Sequence, residues 1–368
     1  MKKILYLMHV PWNWIKQRPH FIAENLNQYF KVIIYCEKTY RKNLLVENNV
    51  PEDTVCKTMF RLPFDRLEIT SKINKIIKIK QLKKVIKGVD IVWLTFPLIF
   101  QVVDNILPEK VKLIYDCMDD ALEFPLFKRN INLSKKILDC EKKLIQRANI
   151  VFLSSEYLRK IIIKRYGNLK HSYVINNAIQ LYPNALRTSR SLELNNYDRF
   201  FNKSYFNITY LGTISNWLDF DLILKSLDIF QDIRYVLFGI SEIRIPKHER
   251  IVYGGSVTHD YVYHIMKMSD ALVIPFKKCE LIHSVNPVKI YEYIYSCTPS
   301  IVLEYEETKR FKDFIYLYDN EKAYFQIINK LIKNNIIKQD CDAYIQFAKD
   351  NTWENRVQEI VKLIESIS

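Results

Sequence analysis

SVNPVKIYEYIYSCTPSIVL, residues 284–303, decides how the chain is read. Asn286 is a good helix N-cap, and Pro287 suits a first helical turn, where its missing N–H costs nothing. Lys289 and Glu292 are three apart and share one face of that helix. Ile290, Ile294 and Cys297 lie on another face and turn inward. The helix must stop before Pro299, and the apolar run Ser300–Leu303 follows at once as a strand. A helix N-terminus attracts anions through its unpaired N–H groups and its dipole. Lys289 adds positive charge for a diphosphate, and Glu292 can accept hydrogen bonds from ribose hydroxyls. The spacing fits a nucleotide-diphosphate pocket. Taken alone, it fits equally a capped surface helix carrying a Lys–Glu pair.

The rest of the chain repeats this strand-and-helix grammar. Short apolar runs at Lys3–Met8, Val32–Tyr35, Ile91–Thr95, Lys112–Tyr115 and Ile150–Ser154 form one series. Ile208–Gly212, Tyr235–Gly239, Ala271–Pro275 and Ser300–Leu303 form a second. The first series is rich in Ile, Val and Leu without alternation, as in strands covered on both faces. Helical runs such as His20–Tyr29, Leu133–Arg147 and Tyr261–Met268 lie between them. This alternation predicts an α/β fold with parallel sheets and crossover helices. Residues 180–206 are polar and without period and read as a linker, and 368 residues suit two domains. The expected division is 1–190, 191–350 and a final helix, 351–368, returning to the first domain.

Composition excludes several classes. The six glycines, at 88, 167, 212, 239, 254 and 255, build neither G-x-x-x-x-G-K nor G-x-G-x-x-G. G-x-S-x-G is absent as well. The seven cysteines form no C-x-x-C and read as reduced thiols of a cytoplasmic protein. The triplets Asp219–Asp221 and Asp340–Asp342 adjoin expected helix starts and read as caps, and no metal site is expected. Ile4–Val10 leads into Pro11 and two tryptophans with no small-residue cleavage site after it, so it reads as a first strand and not as a signal peptide. The longest apolar run, Ile91–Val103, is 13 residues long and broken by Pro97, short of the roughly 20 that a membrane helix needs.

The net charge of +14 favours anionic partners, although AT-rich codons also explain an excess of lysine. Lys72–Lys87 holds seven lysines and no acid, with apolar residues largely at helical spacing. It reads either as a helix for an anionic membrane surface or as a solvated helix packing its apolar stripe on the sheet. Nucleic acid is disfavoured as a partner, because no zinc-finger or RNP-like motif accompanies the charge.

Residues 284–303 resemble the "nP-K-yEY-…-G-P-V-V" segment of B-type (two-Rossmann, GT-B) glycosyltransferases, in the bacterial surface-polysaccharide branch related to family four (teichuronic-acid and capsule type). Other stretches resemble the same branch in the same order: HVPWNWIKQRPHFIAENL (9–26), YDCMDD (115–120), VINNAI (174–179), YLGTISNWLDFDLI (210–223), SDALVIPFK (269–277) and TWENRVQEIVKLI (352–364). The resemblance implies two doubly wound Rossmann-like domains facing a cleft. It implies transfer of a sugar from a nucleotide-sugar donor, a UDP-sugar, to a glycan or lipid-linked glycan acceptor. The nucleotide sugar is a substrate, and no cofactor is implied. Lys289 and Glu292 match the family's donor-contacting pair, and Gly212, Asn286 and Tyr291 join them as donor-binding candidates. Ser284 stands where many members carry an acid, so the retaining mechanism does not carry over. A sugar-nucleotide epimerase of the same fold is the alternative enzyme.

Strand C-terminal ends face the ligand crevice in open α/β sheets. His9 follows the first strand, and Asp119 and Asp120 follow the fourth; these are the catalytic candidates, with a cap, turn or surface role as the alternative for each. Of the three, His9 has the unperturbed pKa best placed to accept a proton, ~6.5. Trp12, Trp14, Arg18 and His20 are the acceptor-binding candidates. The expected location is cytoplasmic, peripheral on the inner membrane face if the acceptor is lipid-linked.

Overall fold

The computed structural model describes residues 1–14, 16–38, 50, 54–63, 68–181, 195–257, 259–333 and 341–367. It divides into two units: Met1–Asn177 with Trp353–Ser368, and Ala178–Thr352. In the first, strands β1 (Lys3–Met8), β2 (Lys31–Glu37), β3 (Val55–Met59), β4 (Ile91–Leu94), β5 (Lys112–Cys117), β6 (Ile150–Leu153) and β7 (Ser172–Val174) form one parallel sheet in the order β3-β2-β1-β4-β5-β6-β7. In the second, β8 (Phe206–Leu211), β9 (Ile233–Phe238), β10 (Ile251–Gly255), β11 (Ala271–Ile274), β12 (Ser300–Leu303) and β13 (Tyr316–Tyr318) form another in the order β10-β9-β8-β11-β12-β13. Both are doubly wound α/β architectures.

The central strands are apolar on both faces because helices cover both. Ile4, Leu5, Tyr6, Leu7 and Met8 of β1 are all fully buried. Each sheet reverses its winding once, between β1 and β4 in the first unit and between β8 and β11 in the second. At such a switch point the two following connections leave in opposite directions and open a crevice beyond the strand ends. His9 and Thr95 stand at the first switch point, Gly212 and Pro275 at the second.

The chain leaves the first unit thirteen residues before the expected 190/191 boundary. Ile175 still extends the first sheet, its N–H donating to the Leu153 carbonyl over 2.9 Å. Asn177 is held by Arg18 at 3.2 Å. Ile179, by contrast, is buried in the second core, and its N–H donates to the Asn351 carbonyl over 3.0 Å. Of the expected linker 180–206, residues 182–194 lie outside the described residues, and Asn195–Asp198 is a helical turn. The helix Trp353–Ser366 belongs to the first unit, where the Trp353 ring stacks on Phe21 with centroids 5.2 Å apart. Asp219 caps the helix Phe220–Ile229, its carboxylate accepting from the Leu222 N–H. Asp340 lies outside the described residues.

Candidate functional sites

In the second unit, β8 ends where Gly212 turns the backbone at φ +143. Gly239, φ +135, ends β9 beside it, and a β-carbon on Gly239 would collide with the Gly212 carbonyl. A β-carbon on Gly212 would overlap Cε and Nζ of Lys289. Both glycines are therefore set by close approach as well as by φ. Lys289 lies in the first turn of the helix Val288–Tyr295 and brings its ammonium 5.7 Å from the Tyr210 ring centroid. Burial lowers its pKa from the usual lysine value, and Glu292 works in the opposite direction. The helix is anchored to the switch point by Tyr293, whose hydroxyl accepts from the Leu211 N–H at 3.3 Å and donates to the Val273 carbonyl at 3.5 Å. One helix thus sets a cation beside the glycine turn and, a turn later, a carboxylate close enough to act on that cation.

Two donor-binding candidates take other roles. Asn286 does not cap this helix: Pro287 occupies the N-cap position, and no side chain caps it. The buried Asn286 amide instead donates to Glu307 at 3.4 Å and accepts from the Tyr291 hydroxyl at 3.3 Å. Tyr291 is fully buried, with its ring against Phe311 and Phe347. A nucleotide cannot touch that ring, so Tyr291 supports the loop from the core.

In the first unit, the His9 backbone N–H and ring Nδ1 both meet Thr95 Oγ1, at 3.1 and 2.8 Å. This ties together the ends of β1 and β4 at the switch point. Burial, with a smaller push from His20, lowers the His9 pKa to about 4. His9 and Asp119 line one cavity. Burial raises its pKa to about 6, with Arg18 opposing and Asp120 and Asp116 adding to the rise. The balance expected from the unperturbed values is reversed: Asp119 is now the stronger base of the two.

Of the remaining candidates, Asp120, Arg18, His20 and Trp12 are held in internal contacts. Asp120 is 2% exposed and bidentate to Arg165, at 3.0 and 2.6 Å, and it caps a 3-10 turn through the Leu122 N–H. Arg18, 3% exposed, pairs with the buried Asp116 at 2.8 Å and donates to the Ile175 carbonyl at 2.6 Å. His20 is fully buried; its Nδ1 accepts from the Gln17 N–H at 3.2 Å, and its Nε2 faces the Pro11 and Trp12 carbonyls. These contacts select the neutral tautomer protonated on Nε2, and burial lowers the pKa to about 4. Trp12, 3% exposed, packs its ring on His20. Trp12, Arg18 and His20 thus brace the segment between β1 and its helix, and their buried side chains offer no exposed acceptor surface. Trp14 is half-buried.

Sequence reasoning missed the cavity beyond His9 and Asp119, about 540 Å³ in volume. Its walls include Arg61, Asn74, Lys75 and Lys78 from the β3–helix segment, Phe96 after β4, and Phe127 and Lys136 beyond β5. These residues are scattered over the sequence. The lysine density of 72–87 was the one signal that pointed to it.

No protein-family model matches the chain. A Bacillus subtilis (strain 168) protein provisionally named as the teichuronic acid biosynthesis glycosyltransferase TuaH is 22% identical over 270 residues, which is 68% of this chain and 66% of that protein. The chain thus spans just under two thirds of that relative's length. Among solved structures, sucrose-phosphate synthase from Thermosynechococcus elongatus superposes with a TM-score of 0.75 at 12% identity, covering 100% of this chain and 99% of that one. Anabaena HepE, in complex with UDP and glucose, gives 0.71 at 11% identity, with both chains covered to 100%. At these identities the likeness establishes the architecture, two parallel-sheet α/β domains of the B-type glycosyltransferase fold.

Proposed function

We propose that the chain is a glycosyltransferase that moves a sugar from a nucleotide-sugar donor, a UDP-sugar, to a glycan acceptor of the bacterial cell surface. The observation that carries this reading is the packing of the Lys289 ammonium against Gly212 at the switch point of the second unit. A partly desolvated cation beside a glycine turn and a helix start suits a diphosphate, because the anion meets fixed positive charge. The same charges stabilise the diphosphate as it leaves. Glu292, one turn on, suits the ribose hydroxyls. The teichuronic name of the bacterial relative and the UDP in the HepE complex agree with this choice of donor and product.

In the first unit, Asp119 is the proposed base for the acceptor hydroxyl, with His9 orienting the site through Thr95. The proposed setting is the cytoplasmic face of an anionic membrane. Among the described residues no helix is long and apolar enough to cross a membrane. The helix Glu68–Lys83, however, exposes Ile69, Ile73 and Ile76 among its lysines.

The test is thermal stabilisation by UDP-, GDP-, dTDP- and CMP-sugars. The largest shift is expected with a UDP-sugar, and it should be lost in Lys289→Ala. No stabilisation by any of the four would overturn the proposal.

A further inference from the structure

The cavity at the first switch point carries more positive charge than moving a proton requires. Its walls come from two helices, Glu68–Lys83 and Ile131–Arg147, together with the segments after β3, β4 and β5. Lys78 is already compensated: it pairs with Glu37 at 2.5 Å, and both side chains are largely buried. Lys75 and Lys136, one from each helix, line the same cavity and make no ion pair among the described residues. The cavity is also lined by a chain of aromatic rings. His9 stacks on Phe96 at 5.1 Å, and Phe96 meets Phe127 at 5.8 Å.

We propose that this cavity is the acceptor site and that it selects a sugar bearing an anionic group, a phosphate or a carboxylate, with Lys75 and Lys136 reading that charge. The inference rests on the transferase reading and supplies its acceptor class.

Two features fit a sugar, and a third fits a charged one. A volume of about 540 Å³ falls within the range of small-ligand pockets, roughly 300–1,000 Å³. The aromatic faces suit the C–H faces of a pyranose ring, and His9 and Asp119 supply polar groups for its hydroxyls. The lysines then decide the charge. Beside a neutral ring the half-buried Lys75 and the exposed Lys136 keep only solvent as partner, whereas an anion forms charge-assisted hydrogen bonds with them. The wall that carries Lys75 is held in place for this: the neighbouring Asn74, 2% exposed, accepts from the Leu62 N–H at 2.7 Å and donates to its carbonyl at 3.1 Å.

Glucuronic acid, glucose 6-phosphate, methyl glucoside and inorganic phosphate, each titrated into the full-length protein and followed by saturation-transfer NMR, test the proposal. At least one anionic sugar should bind about tenfold or more tighter than methyl glucoside, a difference of about 1.4 kcal/mol. The better of the two anionic sugars identifies carboxylate or phosphate, and inorganic phosphate alone should bind far more weakly. The double variant Lys75→Gln, Lys136→Gln should lower anionic-sugar affinity to that of methyl glucoside and leave methyl glucoside unchanged. Lys75→Arg, Lys136→Arg should keep the preference. Equal affinity for charged and neutral sugars, or a preference that survives in the glutamine variant, would overturn it. So would loss of all sugar binding in both double variants. UDP binding is measured on the same samples: UDP bound without charge preference sinks this inference alone, whereas a wild-type protein that ignores UDP sinks the donor reading.

Discussion

The end of the Lys289 side chain occupies the space that a β-carbon on Gly212 would take. The glycine's φ of +143 independently disfavours any other residue. Gly212→Ala is therefore expected to push the ammonium away from the strand end. UDP affinity should fall tenfold or more, about 1.4 kcal/mol, in a protein whose circular dichroism is unchanged. Wild-type affinity in that folded variant would remove the lysine–glycine contact from the donor site.

Lys289→Ala and Glu292→Ala should each weaken UDP binding by roughly 1.5–3 kcal/mol, the range for hydrogen bonds to charged groups. A pH titration adds a sign. The protonated lysine binds the diphosphate, and burial lowers its pKa. Affinity should therefore decline with rising pH before the ordinary lysine range is reached, and Lys289→Ala should flatten the curve. A wild-type curve that stays flat through that range contradicts the assignment.

Proton transfer separates Asp119 from His9. A base works when deprotonated, so activity should fall as pH drops through about 6 if Asp119 serves, and only near about 4 if His9 does. Asp119→Asn should cost roughly 10²–10⁴ in turnover, the usual range for a general base, and should abolish the limb near 6. An active Asp119→Asn enzyme with an unchanged profile returns the role to His9.

Arg18 is expected to matter for stability and not for acceptor contact. Arg18→Met leaves Asp116 buried without its partner, which costs roughly 3–5 kcal/mol in such pairs. The melting temperature should drop sharply, while UDP binding persists in the cold. A variant of normal stability that has lost only transfer would support the acceptor role.

On the helix Glu68–Lys83, Ile69, Ile73 and Ile76 are 75%, 42% and 54% exposed, and their spacing places them on one face. Vesicles containing anionic lipid should bind the protein at low salt and release it as salt rises. Ile73→Asp with Ile76→Asp should abolish binding. Equal binding to neutral vesicles, or none at low salt, assigns the face to ordinary solvent exposure.

The strands that sequence reading recovered and those it missed divide by position. β3, β7, β10 and β13 carry no expectation, and they are the edges of the two sheets. Edge strands are covered less completely: Ser172–Val174 has no fully buried residue, and Val55–Met59 has one. Their sequences lack the apolar density that marks β1 or β4. The interior strands, with both faces covered, announce themselves.

The candidate site divides by range of interaction. Alternating strands and helices, the glycine after β8 and the Lys289–Glu292 spacing were legible because each depends on residues a few positions apart. The fates of Arg18, His20, Asp119 and Asp120 were not. Arg18 finds Asp116 across 98 positions, and Arg165 finds Asp120 across 45. Asp119, the neighbour of Asp120, lines the cavity instead. Adjacent carboxylates read alike in a sequence. Which one is neutralised in an ion pair, and which has its pKa raised by burial, depends on partners that only the folded sheets bring within reach.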